Sequence, residues 1–388
     1  MTHDAILVLN AGSSSIKLAL YRISDDGLSL SWHGMLEEVR TAPHFHATTP
    51  DGNTIADEKP NIAPEQATAW VLDWIDEHLA GATLRACGHR VVHGGPVYAE
   101  PVRIDDDVMQ VLATFIPLAP LHQPVNLAPI NAIREARPKL PQIACFDTAF
   151  HRGHSPVVNT FALPQRYYEA GVRRYGFHGL SYHFIANQLP SIAPRLAKGK
   201  VVVAHLGNGS SMCAMDACRS VDTTMGFTAL DGLPMGTRTG QIDPGVLLYL
   251  MEHDGMSVPE VTDLIYRHSG LKGLSGISSD MRTLVESSEP RAKYAIDVYI
   301  HQIAKQTAAL AGSMGGLDGM VFTAGIGEHQ PLIRAGVLEK LGWLGFTLDR
   351  SANADGGPLL TTSESRCQAY AIPTDEECII AEQTLALI

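Results

Sequence analysis

Chemical potential first shows in this 388-residue sequence at three turns of small residues, each placed directly after an apolar run. They are Asn10–Ser15 after AILVL, Leu206–Ser211 after VVVAH, and Ala324–Gly327 after GMVFT. Glycine lets the backbone approach a ligand closely, and serine hydroxyls and backbone N–H groups hydrogen-bond phosphate oxygens. A single turn of this kind is an ordinary hairpin or strand–helix connection. Three at strand ends in one chain point to a nucleotide cleft. No G-x-x-x-x-G-K-[ST] segment occurs, which excludes a Walker-type loop.

Charged residues near these turns extend the pattern. Arg90 lies in the β-branched run GHRVV, and Arg238 in the glycine-punctuated turn Met235-Gly236-Thr237-Arg238. In a strand, Arg90 shares its face with Val92 and turns Val91 and His93 to the other side. That pairing sets a guanidinium for a carboxylate beside an apolar wall. A surface salt bridge is the plainer reading of either arginine. Asp147 closes the run IACFD, at a strand end where open α/β sheets place working residues, or where an Asp merely caps a turn. His178 stands between Phe177 and Gly179, with a packed core histidine as the alternative. His89 and His93 have a zinc spacing only on a helix, and this run reads as strand. In PTDEE, Thr374 and Glu377 have capping-box spacing, which leaves Glu376 available for other work.

The elements that must position these residues alternate between short apolar runs and helical patterns, the signature of an α/β fold. PEQATAWVLDWIDEHL places Ala67, Trp70, Val71, Trp74, Ile75, His78 and Leu79 on one helical face. PRAKYAIDVYIHQIAKQTAALAGSM is a long helix ending on glycines. AILVLNAGSSSIKLALY and KVVVAHLGNGSSMCAMD share one plan of strand, small turn and strand, which suggests two duplicated halves. The length also predicts two domains, set at residues 1–150 completed by 375–388 and at 151–374.

Composition narrows the class. With 29 basic against 41 acidic residues the net charge is −12, which argues against nucleic-acid or anionic-membrane surfaces. The first residues lack a signal-peptide pattern, and no apolar run is long enough to span a bilayer. Six scattered cysteines without a C-x-x-C pair predict reduced thiols and a cytoplasmic protein.

LVLNAGSSSIK, GHRVVHGG, APLHQP, FDTAFH, RRYGFHG, HLGNGSS, MGTRTGQIDPG, SSDMR, FTAGIGEH and PTDEE follow one another in this order over nearly the whole chain. Together they resemble the acetate kinase family, within the acetate/sugar kinase, chaperone and actin superfamily. The resemblance implies two duplicated ribonuclease-H-like (actin-like ATPase) domains of α/β class, with ATP in an interdomain cleft. It also implies Mg²⁺ (Mn²⁺ as an alternative), acetate as acceptor, direct in-line transfer to give acetyl phosphate, and a homodimer. Carried over by motif, Arg90, Asp147, His178 and Arg238 are catalytic, with Arg90, Val92, Leu121 and Phe177 around the acid. Lys17, His205, Leu206, Gly207, Asn208 and Gly209 are implied ATP contacts, as are Asp280, Met281, Arg282, Gly325, Ile326, Gly327, Glu328 and His329. Asn10 and Glu376 are implied metal ligands.

Four positions depart from the family pattern: His329 for the usual Asn, Ala229 for Pro, Asp231 for Glu and Tyr182 for a frequent His. Phosphorylating an ionised acid needs no strong base, so Asp147 acts in positioning or in proton transfer. A propionate or butyrate kinase on the same scaffold is the first alternative, and a chaperone- or actin-like ATPase the second. A sugar kinase is weaker, because a hydroxyl acceptor calls for a base.

Overall fold

The computed structural model describes residues 3–12, 15–38, 41–63, 66–79, 81–120 and 122–388, and the chain divides into two compact units, 1–149 with 375–388 and 150–374. In the first unit the strands are β1 (Asp4–Ala11), β2 (Ile16–Ser24), β3 (Gly27–Glu37), β4 (His44–Thr48), β5 (Thr54–Glu58), β6 (Thr83–Val91), β7 (Val102–Arg103) and β8 (Gln142–Phe146). They form one mixed sheet in the order β5-β4-β3-β2-β1-β6-β8-β7. β1 is buried from Ala5 to Ala11 because both of its faces are covered. Leu7, Leu9, Leu18, Trp32 and Phe45 pack on Trp74 and Ile75 of helix Ala67–Glu77. The opposite face carries the C-terminal helix Glu376–Leu385. It lies so close to β6 that a Cβ on Gly88 would fall 2.2 Å from Thr384 Oγ1 and 2.7 Å from Ile380 Cγ2. Glycine is the residue that permits this approach.

In the second unit β9 (Lys200–Leu206), β10 (Ser210–Asp216), β11 (Arg219–Thr223), β12 (Gly319–Thr323) and β13 (Gln368–Ala371) align in the order β11-β10-β9-β12-β13. Two antiparallel pairings are followed by two parallel ones, β9 with β12 and β12 with β13. The strands β3-β2-β1-β6-β8 of the first unit repeat this order and these directions. The duplicated plan expected from the strand–turn–strand segments is thus present in both sheets. Helix Gly179–Ile192 covers one face of the second sheet through Tyr182, Ile185 and Leu189. The long helix Pro290–Met314 covers the other through Tyr299, Ile300 and Ile303.

Three local expectations change. Ala324–Gly327 is not a turn but the start of a short helix, Ala324–His329, entered through a left-handed Ala324 (φ 63°). β6 ends at Val91, so Val92 lies past the strand and the alternation argument does not govern its side chain. The capping box at Thr374 is absent. Asp375 is the N-cap of the C-terminal helix, its carboxylate accepting from the Cys378 N–H at 2.8 Å. Thr374 instead pairs its hydroxyl with Ser181 Oγ at 2.9 Å.

Asp375→Ala should therefore lower unfolding stability by about 0.5–2 kcal/mol, the cost of an N-cap. Glu377→Ala should leave the thermal transition nearly in place. A larger loss in Glu377→Ala, measured by calorimetry, would restore the capping role to that residue.

Candidate active site

In the first unit a guanidinium is held in place by two fixed acceptors. Arg90 near the end of β6 reaches Asp147, one residue beyond β8. Its Nε donates to Oδ1 and Oδ2 at 3.0 and 3.2 Å, and Nη2 donates to Oδ2 at 2.7 Å. Its Nη1 donates to Asn10 Oδ1 at 3.2 Å, on β1. Parallel pairing of β1 with β6 and of β6 with β8 puts these three strand ends side by side. Asp147 is only 1% exposed. Burial works against the charge on Arg90, but Asp147 and then Glu376 outweigh it and raise the guanidinium well above its ordinary value. Burial likewise raises the Asp147 carboxyl, against the pull of Arg90. Because arginine only donates, both Asp147 oxygens act as acceptors toward Arg90. Asp147 is an acceptor that aims Arg90.

Arginine has five N–H donors. One on Nε, one on Nη1 and one on Nη2 take the partners above, which leaves one hydrogen on each terminal nitrogen. That is the number a bidentate carboxylate takes.

Asn10 also connects the arginine to the C-terminal helix. Its Nδ2 donates to Glu377 Oε1 at 3.0 Å and to Glu376 Oε2 at 3.3 Å. Both glutamates, not Glu376 alone, converge on the end of β1. Lys17 stands opposite Asn10 in the β1–β2 register and is exposed. Helix Gln123–Ala136 braces the same strand ends through buried Asn126, which donates to the Ala11 carbonyl at 2.7 Å and accepts from the Val92 N–H at 2.9 Å. Sequence reasoning passed over Asn126, although an Asn at helical spacing with Leu127, Ile130 and Ile133 is a recognisable signal for a buried bridge. Leu121 lies outside the described residues. His89 is buried against Gln142 Oε1 at 2.7 Å, and burial pushes its imidazole down to about 4.

The second unit gathers a different set around the turn Gly207-Asn208-Gly209, which joins β9 to β10. The turn is tight, with the Gly207 N–H donating to the Gly209 carbonyl at 3.0 Å. A Cβ on Gly209 would lie 2.6 Å from Arg238 Nη2 and 3.3 Å from His178 Nε2. These cationic and imidazole nitrogens thus converge on the backbone of this turn. Arg238 is steadied by the Ala229 carbonyl, and its loop by Gly236 N–H donating to Asn208 O at 3.1 Å.

His178 has a left-handed backbone (φ 57°, ψ 25°) at the start of helix Gly179–Ile192 and stacks on His205 at 4.2 Å. His205 Nδ1 pairs with Ser181 Oγ at 2.8 Å. Beneath the Phe177 turn, buried His151 donates from Nε2 to the Phe177 carbonyl at 2.9 Å, and Ser220 Oγ lies 2.7 Å from its Nδ1. A Cβ on Gly176 (φ 76°) would come within 2.6 Å of the His151 ring, so only glycine passes there.

The remaining expected nucleotide residues do not all face outward for binding. Met281 is a core side chain at 2% exposure. Asp280 caps helix Met281–Glu286 and pairs with Arg282 at 2.7 Å, which makes this couple self-contained. Glu328 accepts from the Thr374 N–H at 3.2 Å, and His329 is exposed beside it. Helix Ala324–His329, with Gly325, Ile326 and Gly327, is pinned by buried Arg334, which donates to the Gly327 and Glu328 carbonyls at 3.0 and 2.7 Å. Its other partners are Asn353 oxygens, so burial lowers its guanidinium. The ten motifs did not include Arg334.

Comparison with known proteins bears on this arrangement. The family model described as the acetokinase family matches residues 5–382. An acetate kinase of Nitrobacter hamburgensis is 49% identical over 99% of this chain and 96% of its own, and one of Rhodopseudomonas palustris 50% identical over 99% and 98%. Among solved structures, a propionate kinase of Francisella tularensis aligns with a TM-score of 0.91 at 36% identity, covering 99% of this chain and 100% of its own. An acetate kinase of Porphyromonas gingivalis aligns at 0.86 and 34%, covering 99% of each chain. The chain belongs to the acetokinase family.

Proposed function

We propose that this chain phosphorylates acetate with Mg-ATP, reversibly giving acetyl phosphate and ADP. The observation that carries the reading is Arg90, a part-buried guanidinium locked by Asp147 and Asn10 with one hydrogen left on each terminal nitrogen. A hydroxyl acceptor would need a general base. An acid with a pKa near that of a side-chain carboxyl is already ionised at pH 7. An acetate oxygen attacks the γ-phosphorus, the new P–O bond forms, and the bond to the β–γ bridging oxygen breaks, leaving ADP. No proton moves in this balance. Asp147, already gripped by Arg90, therefore positions the arginine and transfers no proton.

The charge spread over the transferring phosphoryl oxygens has to be met by fixed donors. Arg238 and His178 are assigned that role, and the turn His205–Gly209 the neighbouring phosphates. Asn10, Glu376 and Glu377 would hold Mg²⁺. Their donor chemistry is hard oxygen, and Mg²⁺ takes one or two carboxylates together with water and phosphate. When bound, the ion neutralises phosphate charge. Lys17 and the helix Ala324–His329 are proposed nucleotide contacts, and Val92, Leu121 and Phe177 the surroundings of the methyl group. Propionate is the second reading, supported by the likeness to the Francisella tularensis enzyme.

The functional domains are proposed to be 1–150 completed by 375–388, and 151–374, a reading supported by compact units that divide after 149 and after 374. The unpaired thiols of Cys87, Cys145, Cys213, Cys218, Cys367 and Cys378 support a reducing cytoplasm. Among the described residues no helix is long and apolar enough to cross a membrane. A homodimer is also proposed. Helix Pro244–Glu252 (PGVLLYLME) buries none of its residues, leaving Val246, Leu248 and Tyr249 at 42%, 55% and 53% exposure. A second copy brings the same apolar face, which is the self-complementary contact a two-fold dimer needs.

Kinetics of folded variants test the assignment. Arg90→Ala and Arg238→Ala should each lose about 10²-fold or more in kcat/KM, read by hydroxamate trapping of the acyl phosphate. Glu376→Gln and Glu377→Gln should both raise the Mg²⁺ needed for half-maximal rate. Near wild-type turnover in either arginine variant would remove it from the mechanism. For the dimer, light scattering should give twice the chain mass, and Leu248→Glu should shift it to one chain. An unchanged mass in that variant would place the interface elsewhere.

A further inference from the structure

Behind His178 stand two buried hydroxyls that the transfer chemistry does not use. Ser211 Oγ lies 2.8 Å from His178 Nδ1, and the Tyr182 hydroxyl lies 2.5 Å from Ser211 Oγ. The fold brings them together directly. Ser211 pairs with His205 in the β9–β10 register, so its side chain lies on the sheet face that helix Gly179–Ile192 covers. Tyr182 is on the first turn of that helix, and its side chain is fully buried.

The direction of each hydrogen bond follows from what each oxygen can do. Burial, the largest cause, raises the Tyr182 phenol well above its ordinary value, so it keeps its proton. Among the described residues its hydrogen-bond partner is Ser211 Oγ, and a buried phenol proton without an acceptor is costly. Its own proton is therefore directed to Ser211 Oγ. Ser211, accepting from tyrosine, directs its hydroxyl proton to His178 Nδ1. A neutral imidazole that accepts at Nδ1 carries its hydrogen at Nε2. Nε2 is the nitrogen that converges with Arg238 Nη2 on Gly209.

We propose that Tyr182 and Ser211 are positioning residues that fix His178 as the Nε2–H tautomer, so that it presents a hydrogen-bond donor beside Arg238. This deepens, and rests on, the reading of His178 as a donor to the transferring phosphoryl group. The relay ends in a hydrogen-bonded phenol, Tyr182. Tyrosine serves the relay because its single buried proton has one acceptor, Ser211 Oγ, which leaves the order of protons one way round. Reversing the relay would leave the buried phenol proton without its Ser211 acceptor.

The test is long-range ¹H–¹⁵N correlation on the full-length enzyme with ¹⁵N-labelled histidine, with His178 assigned from the signal missing in His178→Gln. The wild type should show the Nε2–H pattern at His178. Tyr182→Phe, which keeps the ring, and Ser211→Ala should shift it toward a tautomer mixture, and Ser211→Thr should retain it. Turnover supplies the second readout. Tyr182→Phe should lower kcat roughly three- to tenfold, the size of one lost hydrogen bond, with KM for acetate and ATP within about twofold. An Nδ1–H pattern in the wild type, or an unaltered pattern in both Tyr182→Phe and Ser211→Ala, overturns the relay. A shifted tautomer with unchanged kcat upholds the relay and instead removes His178 from the transfer step.

Discussion

Two anions that repel each other have to be held in contact, and the arrangement of this chain answers that constraint with donors that cannot turn away. An arginine in water offers its hydrogens in any direction. Arg90 offers them in one, because a carboxylate at 1% exposure holds one edge of the guanidinium and Asn10 holds Nη1. The cost of burying such charges is offset only when their geometry is well satisfied. Three strand ends, β1, β6 and β8, supply the three groups, so the parallel pairing of these strands is what makes the geometry possible. Asn126 then fixes the strand ends from the helix behind them, and the C-terminal helix brings Glu376 and Glu377 onto Asn10.

The same logic recurs in the second unit with different chemistry. Its sheet repeats the strand order of the first, and the turn after its leading strand again carries Asn, Gly and Ser. Here the backbone is brought close enough to Arg238 and His178 that a side chain on Gly209 would displace the guanidinium. Buried hydroxyls, Ser211 and Tyr182 behind His178 and Ser220 behind His151, satisfy imidazole nitrogens that would otherwise be left polar in a core. One scaffold element thus carries a locked guanidinium in one unit and, in the other, an arginine and a histidine that converge on a glycine turn.

Much of this was legible in the sequence, for physical reasons. Short apolar runs ending in small residues read as buried strands, and they are so here, although the exit after Thr323 is a helix and not a turn; the alternation with helical periods gave the α/β class and the duplicated plan. Arg90, Asp147, His178 and Arg238 were singled out by the ordered motifs, since residue type alone favours a surface salt bridge for either arginine and leaves a turn cap or a core histidine open for the other two. What stayed hidden depended on distance along the chain. Asn126 reaches Ala11 and Val92, and Glu377 reaches Asn10, across separations no local pattern encodes. The Thr374 spacing suggested a capping box, yet Asp375 caps the helix and Thr374 bonds Ser181. Local rules name the candidates for a cap, and tertiary partners choose among them. Arg334 was invisible for a similar reason, since its acceptors are backbone carbonyls and an asparagine.

The central claim is that Asp147 aims Arg90 and moves no proton. The direct measurement is the pH dependence of kcat/KM for acetate in Asp147→Asn against wild type, between about pH 6 and 9. The neutral amide keeps the shape of the carboxylate but cannot hold the guanidinium by charge. The account predicts a large drop in kcat/KM and a raised KM for acetate, with the two profiles parallel at every pH. A variant profile that lost a titrating limb present in the wild type would show that Asp147 exchanges a proton during turnover, and would contradict the account.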